Sequence, residues 1–330
     1  MAPKERALAT EGPGSTSQYM SMYGKFSTDG FLRIGNECPD FSCKTTHGHW
    51  SSFHEWKKGQ WAVLCSHPRA FHPVGTTELG SLSQKHKTLE SIGCKVVALS
   101  VDSVEDHVEW LKDVEAYHSA EEEPVHVQFP IISDGDRAIS EAYSMIDPFT
   151  MGQQTLTVRS VFVINPENIL MLRFDYPACV GRNVDEIIRC VMALQLSYEH
   201  SIQTPANWPR NRALLPDANG KLKEETGAVF LLPTVSEEEA KERFDEYHTY
   251  KVPSGKNYLR LVKPEIAGIE FSEHTERSGG EGSGFLLSEV SIHSHEKRQE
   301  RSKTNKRDNS KLKLKKGLSK WFTSLTGASR

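Results

Sequence analysis

The chain has 330 residues, of which 37% are hydrophobic and 25% charged, and its formal net charge is −4. This length can enclose a sizeable core, and the composition is ordinary for a globular protein with polar tails. No apolar run approaches the roughly 18 residues of a membrane-spanning helix. Residues 1–30 lack the continuous apolar stretch of a secretory signal, so we expect a cytoplasmic protein.

Six cysteines are spread along the chain without a Cys-x-x-Cys pair or the spacing of metal ligands. In a chain of this length they do not form a disulfide framework, and we expect reduced thiols. His47 and His49 could bind a metal ion only with ligands from elsewhere. We therefore predict no metal and no cofactor.

Residues 1–30 show no sustained period and are predicted to be a disordered segment. Between residues 31 and 200, short apolar runs typical of buried strands alternate with segments of helical period. The predicted elements, in chain order, are a strand at 61–65, a helix ended by Gly93, a strand at 95–101, a helix at 103–117, a strand at 129–133, a helix at 136–143, a β-hairpin of 158–164 with 169–174, and a helix at 183–198. This order predicts an α/β protein with a thioredoxin-like fold.

Three further segments follow this domain. Residues 201–265 are predicted to form a small subdomain with a helix at 237–244 and a strand at 258–262. Residues 266–309 are polar and rich in Gly and Ser, which is typical of a flexible linker. Residues 310–327 have the period of a basic amphipathic helix.

The C-terminal tail has a concentrated excess of basic charge. From Glu296 onward, 12 Lys or Arg residues face three acidic ones. In the predicted helix one face carries Leu314, Leu318, Trp321, Phe322 and Leu325, and the other carries Lys313, Lys316 and Lys320. The pattern is typical of a segment that binds an anionic membrane surface or a calmodulin-like partner. The alternatives are a solvated basic tail and a nuclear localisation patch, and we expect no specific nucleic acid.

One loop carries the strongest functional signal. Residues 64–79 read Leu-Cys-Ser-His-Pro-Arg-Ala-Phe-His-Pro-Val-Gly-Thr-Thr-Glu-Leu. This run resembles the active-site loop of one-Cys peroxiredoxins, Pro-x-x-x-Thr-x-x-Cys, with Pro68 matching, His72 at the threonine and Gly75 at the cysteine. Segments with the look of the same family are 101–107, 129–132, 176–183, 232–235 and 253–260.

The resemblance implies a peroxiredoxin fold over about residues 31–264, a homodimer, and the chemistry of a thiol peroxidase. In that chemistry a helix N-terminus and an arginine hold the cysteine as a thiolate, which attacks the peroxide. By resemblance the arginine is Arg159, while His67 and Glu78 match the surrounding site. His72 replaces a hydroxyl with a ring that ordinarily titrates near neutral pH.

Gly75 supplies no nucleophile. Deleting a nucleophile costs on the order of 10⁶ in rate in a well-studied protease. We therefore expect a peroxiredoxin-fold protein without peroxidase turnover, acting as a binding or scaffolding homologue. The alternative is a thiol-dependent antioxidant enzyme that uses a relocated cysteine, Cys179 or Cys65.

A second family activity is also predicted to be absent. Some one-Cys peroxiredoxins carry a lipase-like Ser-His-Asp arrangement, and the matching positions here are Gln60, His54 and Glu167. Ala62 also replaces a glycine of that motif. Without a hydroxyl nucleophile such a triad cannot transfer an acyl group.

Overall fold

The computed structural model describes residues 32–119, 125–147, 156–217, 219–244 and 246–264, together with the backbone of 269–271 and 290–292. The chain divides into two units, 1–198 and 199–330. The N-terminal segment 1–30 and the basic tail 310–327, for which the sequence makes predictions, lie outside the described residues.

The first unit is built on a seven-stranded mixed sheet with the order β2-β1-β5-β4-β3-β6-β7. Its strands are β1 (Cys43–Thr45), β2 (Gly48–Trp50), β3 (Trp61–Ser66), β4 (Cys94–Ser100), β5 (Ile131–Ser133), β6 (Arg159–Ile164) and β7 (Leu170–Tyr176). β3, β4 and β5 run parallel, and β6 and β7 form the predicted antiparallel hairpin. The predicted α/β, thioredoxin-like fold is confirmed.

Helices of this unit are α1 (Phe53–Lys57), α2 (Pro73–Gln84), α3 (His86–Ser91), α4 (Val104–His118), α5 (Ala138–Ala142) and α6 (Val184–His200). α4 begins where the sequence predicts, because Ser103 and Asp106 form a reciprocal capping box. Gly93 follows the α2–α3 pair with a φ of +67°, the left-handed conformation that glycine adopts without strain. The single helix predicted before Gly93 is two helices, since Lys85 interrupts the regular backbone.

Central strands β3 and β6 are buried along their whole length, which explains why most of their residues are apolar. Lys57 is an unexpected member of this interior. Its side chain is fully buried, and Nζ donates to the carbonyl oxygens of Gln60 (2.9 Å), Asn165 (2.7 Å) and Pro166 (3.0 Å). Burial lowers the pKa of this ammonium to about 8. One lysine thus ties the end of α1 to the turn between β6 and β7.

The second unit contains a four-stranded antiparallel sheet with the order β12-β13-β11-β8, and a separate hairpin. The strands are β8 (Ile202–Gln203), β9 (Arg212–Pro216), β10 (Leu222–Thr226), β11 (Val229–Leu231), β12 (His248–Thr249) and β13 (Arg260–Val262), with helix α7 (Glu237–Arg243). The predicted helix and strand are both present. Buried Arg260 donates to the carbonyl oxygens of Leu232 and Val235, each at 2.7 Å.

Within the stretch predicted as a linker, β14 (Ile269–Phe271) pairs with β15 (Val290–Ile292). The sequence did not predict this pairing. The rest of that stretch lies outside the described residues.

Among the described residues, no helix is both long enough and apolar enough to cross a membrane. The same residues contain no group of three or more metal-ligating side chains around a common point.

Candidate functional site

The site forms where β3 leaves the sheet. The loop from His67 to His72 leads into α2, and Gly75 lies in the first turn of that helix. The loop is held to its neighbours by Ala70, whose N–H donates to Asp102 Oδ2 (2.6 Å), and by Thr157, whose hydroxyl donates to the His67 carbonyl (2.7 Å). This arrangement brings all the site residues predicted from the loop to the N-terminal end of α2.

Gly75 is buried and faces an aromatic ring. A Cβ built on it would lie 3.3 Å from Cη2 and Cζ2 of Trp110 and 3.8 Å from Cβ of His72. Trp110 comes from α4, is fully buried, and donates from Nε1 to the Thr76 hydroxyl (3.0 Å). A side chain at position 75 would therefore need the indole to move by a few tenths of an ångström.

His72 caps α2 with its ring. Nδ1 accepts from the Val74 N–H (3.2 Å) and lies 3.0 Å from Nη2 of Arg159. Both neighbours are donors, so Nδ1 is unprotonated and the proton of the neutral ring is on Nε2. Burial, and then the charge of Arg159, lowers the pKa of His72 below its usual value. Protonation of Nδ1 would set a third donor against two others, which acts in the same direction.

Arg159 lies at the start of β6, as the resemblance implies, and its side chain has no exposed surface. Its three nitrogens are all engaged: Nε donates to the Ala178 carbonyl (2.9 Å), Nη1 to Glu78 Oε2 (2.6 Å), and Nη2 lies beside His72. Burial lowers the pKa of this guanidinium, and the charge of Glu78 opposes the shift. Arg159 thus joins α2 to the turn after β7.

Glu78 is the centre of a second buried contact that the sequence did not reveal. Arg182 reaches the same carboxylate through Nε (3.0 Å to Oε1), Nη2 (2.8 Å to Oε2) and its backbone N–H (2.9 Å to Oε1). The side chains of Glu78 and Arg182 are each 4% exposed. Arg182 lies within segment 176–183, one of the segments that resemble the peroxiredoxin family. No other feature of the sequence marks Arg182 as part of the site.

Behind the loop lies a group of neutral histidines. His67 is fully buried, and neither of its ring nitrogens has a hydrogen-bond partner among the described residues. Its ring centroid lies 5.0 Å from that of Trp110 and 6.1 Å from that of His107. Burial, and then the neighbouring His107 and Arg182, lowers the pKa of His67 well below its usual value. Burial likewise lowers the pKa of His107 to about 4, and its Nε2 lies 2.7 Å from the Ser100 hydroxyl.

The six thiols separate clearly by exposure. Cys179 is exposed, and the other five are buried. Burial raises the pKa of Cys65 to about 11, which argues against this residue as a relocated nucleophile because a protonated thiol is a poor one. Cys179 follows Ala178, whose carbonyl accepts the hydrogen bond from Arg159 Nε.

Residues at the positions of the lipase-like arrangement have other roles here. His54 Nε2 lies 3.0 Å from the Cys38 carbonyl, and Glu167 accepts a short hydrogen bond from the Tyr198 hydroxyl. Gln60 is exposed and Ala62 is buried in β3. No hydroxyl stands at position 60 to act as a nucleophile.

A thioredoxin-like sheet, a His-Pro loop entering a helix, and an arginine on the adjacent strand together define the scaffold of a thiol peroxidase. The AhpC/TSA family model matches residues 34–173. Bovine (Bos taurus) peroxiredoxin-6 is 41% identical over 237 residues, which cover 71% of this chain and 98% of that protein. A 1-Cys peroxiredoxin of Onchocerca volvulus is 39% identical over 236 residues, covering 69% of this chain and 95% of that protein.

Solved structures give the same result. A cysteine-to-serine mutant of peroxiredoxin 6 of Arenicola marina is 37% identical, with a TM-score of 0.61, and covers 70% of this chain and 98% of its own. The yeast mitochondrial 1-Cys peroxiredoxin is 34% identical, with a TM-score of 0.58. The match covers 71% of this chain and 100% of the yeast chain. The chain belongs to the peroxiredoxin family, and within it to the group that resembles peroxiredoxin-6.

Proposed function

We propose that this protein is a peroxiredoxin homologue without peroxidase turnover that acts by binding or scaffolding. The observation that carries the proposal is Gly75, at the position where the resemblance places the attacking cysteine. Arg159, His67 and Pro68 still surround that position, but none of them can take the place of a thiolate toward peroxide. The polar contacts of the site therefore serve structure and recognition.

The main test is a steady-state assay with hydrogen peroxide and a thiol reductant. We expect the wild-type chain to consume peroxide no faster than a mixture lacking protein. Turnover well above that background would contradict the proposal. Cys179→Ser and Cys65→Ser then identify the thiol responsible.

A second candidate function is a thiol-dependent peroxidase that uses Cys179. Two observations favour it over Cys65: the exposure of its thiol, and its place beside the carbonyl that binds Arg159. An arginine nearby stabilises a thiolate. Under this alternative the wild-type protein turns over peroxide and Cys179→Ser abolishes the activity, whereas Cys65→Ser leaves it unchanged.

We also propose that the protein is a cytoplasmic homodimer. In the described part of the chain no strand pairs with the outer side of β7 from Leu172 to Tyr176. An open strand edge offers backbone N–H and C=O groups to a second copy. Sedimentation equilibrium tests this, and a mass of one chain at micromolar concentration would contradict it.

The basic tail is proposed to recruit the protein to an anionic membrane surface or a calmodulin-like partner. Each Lys or Arg near an anionic surface contributes about 1 kcal/mol, and Trp321 and Phe322 add apolar anchors. Deleting residues 303–330 should abolish binding to phosphatidylserine vesicles and to calmodulin while leaving the circular dichroism of the body unchanged. Equal binding by the full chain and the deletion variant would contradict the role of the tail, and nuclear import lost on deletion would favour the localisation patch.

A further inference from the structure

A polar cavity of about 280 Å³ lies at the end of the sheet where β4 begins. Its walls come from the end of α1, from α3, from the first residues of β4 and from the segment before β5. This volume is near the lower limit of ligand pockets in proteins, so the cavity has room for a small ring with a substituent. Gly75 lies beyond the other end of the parallel strands, and the lining includes Gln60 but neither His54 nor Glu167. The cavity is therefore separate from the site around Gly75.

Three rings in the lining, those of Trp56, His86 and Phe129, form what we call the aromatic wall. Trp56 is half-buried and stacks on Trp50, with ring centroids 4.3 Å apart. The ring centroids of His86 and Phe129 lie 5.9 Å apart, and Phe129 is buried. These contacts hold the rings in place before any ligand arrives. Ordered aromatic surfaces of this kind favour a flat, apolar body in the cavity.

Lys95 supplies the positive charge of the cavity. Its ammonium donates to the Trp56 carbonyl and lies 4.8 Å from the centroid of the Trp56 ring. An ammonium has three N–H donors, of which this carbonyl takes one. No carboxylate in the described part of the chain forms an ion pair with Lys95, and burial, followed by the charge of Lys58, lowers its pKa. The half-buried ammonium therefore has donors to spare and no counterion.

We propose that this cavity binds a small aromatic carboxylate with a single negative charge, its carboxylate against the Lys95 ammonium and its ring against the aromatic wall. The charges of the lining favour a monoanion. Among the described residues that line the cavity, Lys95 is the one Lys or Arg and Glu90 is the one carboxylate, which would repel a second negative charge. Gln60 and Gln128 are exposed at the rim and offer amides to a polar substituent on the ring. The inference goes beyond the proposed function and does not depend on the peroxide assay.

The test is a ligand-observed NMR titration of the full-length protein with benzoate, p-hydroxybenzoate and phenylacetate. We expect saturable binding of at least one of them, with a Kd of about 1 mM or lower. The matched neutral amides should bind at least about tenfold more weakly, because they lack the charge that pairs with Lys95. Phenyl phosphate, doubly charged at about pH 8, should also bind more weakly than benzoate. Equal binding of the carboxylates and either comparison ligand, or no saturation by any carboxylate up to about 10 mM, would overturn the proposal.

Lys95→Met and Lys58→Met form a matched pair for locating the site. Each removes one positive charge, and Lys58 is near enough to affect the pKa of Lys95, but Lys58 is exposed and does not line the cavity. We expect Lys95→Met to weaken carboxylate binding about tenfold and Lys58→Met to weaken it less than about twofold. Gln128→Glu adds a negative charge at the exposed rim, leaves the interior untouched, and should also weaken binding. Equal affinities in the wild type and all three variants would place the ligand elsewhere and overturn the proposal. Peroxide turnover by the wild type contradicts only the proposed function, whereas a missing carboxylate site leaves that function standing.

Discussion

Gly75→Cys is expected to gain hydrogen peroxide reduction, with a rate gain up to the order of 10⁶ over the wild-type chain. The new thiol would lie in the first turn of α2, beside the buried guanidinium of Arg159. Both features favour the thiolate, so its pKa should fall below the usual value of about 8.5. The thiolate then attacks one peroxide oxygen and the O–O bond breaks, so that a sulfenic acid forms and the other oxygen leaves as hydroxide, which takes a proton from solvent to become water.

Two contacts should keep the rate gain of Gly75→Cys alone below this upper limit. The new Cβ meets the Trp110 ring at 3.3 Å, and Nη2 of Arg159 is already occupied by His72. Replacing His72 by threonine frees that donor and supplies the hydroxyl found in the family motif. We therefore expect Gly75→Cys/His72→Thr to react about tenfold faster than Gly75→Cys, the equivalent of one hydrogen bond.

The measurement is single-turnover oxidation of the reduced variants by hydrogen peroxide, together with the pH dependence of thiolate absorbance. Gly75→Ser is the control, since it fills the same space without a sulfur. A thiol at position 75 with an ordinary pKa and no reaction in either cysteine variant would show that Arg159 and α2 no longer activate a nucleophile there. Activation in Gly75→Cys would instead mean that Arg159 and the N-terminal end of α2 still activate a nucleophile at this position.

Those parts of the fold that rest on local signals could be predicted from the sequence. The apolar runs around Val63 and Val97 identified β3 and β4, and the Ser103–Asp106 capping box fixed the start of α4 to the residue. The β-hairpin was predictable because Asn165 begins a turn cluster, and its side chain accepts from the backbone of Glu167 and Ile169.

What the sequence did not reveal depends on contacts between distant segments. β1 is three residues long, too short for a period to show, and it exists because Thr45 pairs with Ile132 of β5. In the sequence Lys57 has the appearance of a surface lysine, but the nearby carbonyl of Gln60 and two carbonyls more than 100 residues away, those of Asn165 and Pro166, converge on it. Arg182 and Glu78 are 104 residues apart, and no local pattern marks either as a buried partner.

Glu78→Gln is expected to destabilise the first unit by about 3–5 kcal/mol, the cost of breaking a buried ion pair by removing one partner. The carboxylate accepts from Arg159 Nη1 and from three donors of Arg182, all within 2.6–3.0 Å. The glutamine amide places a donor against one of these guanidinium groups and leaves both arginines buried without a counterion. The hydrogen bonds of Glu78 join α2 to β6 and to the turn before α6. The loss of stability should therefore extend through the N-terminal end of α2.

Asp185→Asn is the matched control, since its carboxylate lies 3.2 Å from Lys85 Nζ but is 56% exposed. Exposed pairs contribute about 0–1 kcal/mol, so this variant should unfold in urea almost as the wild type does. Equal losses of stability in Glu78→Gln and Asp185→Asn would contradict a buried ion pair, because they would mean that solvent reaches the two guanidinium groups more freely than their burial indicates.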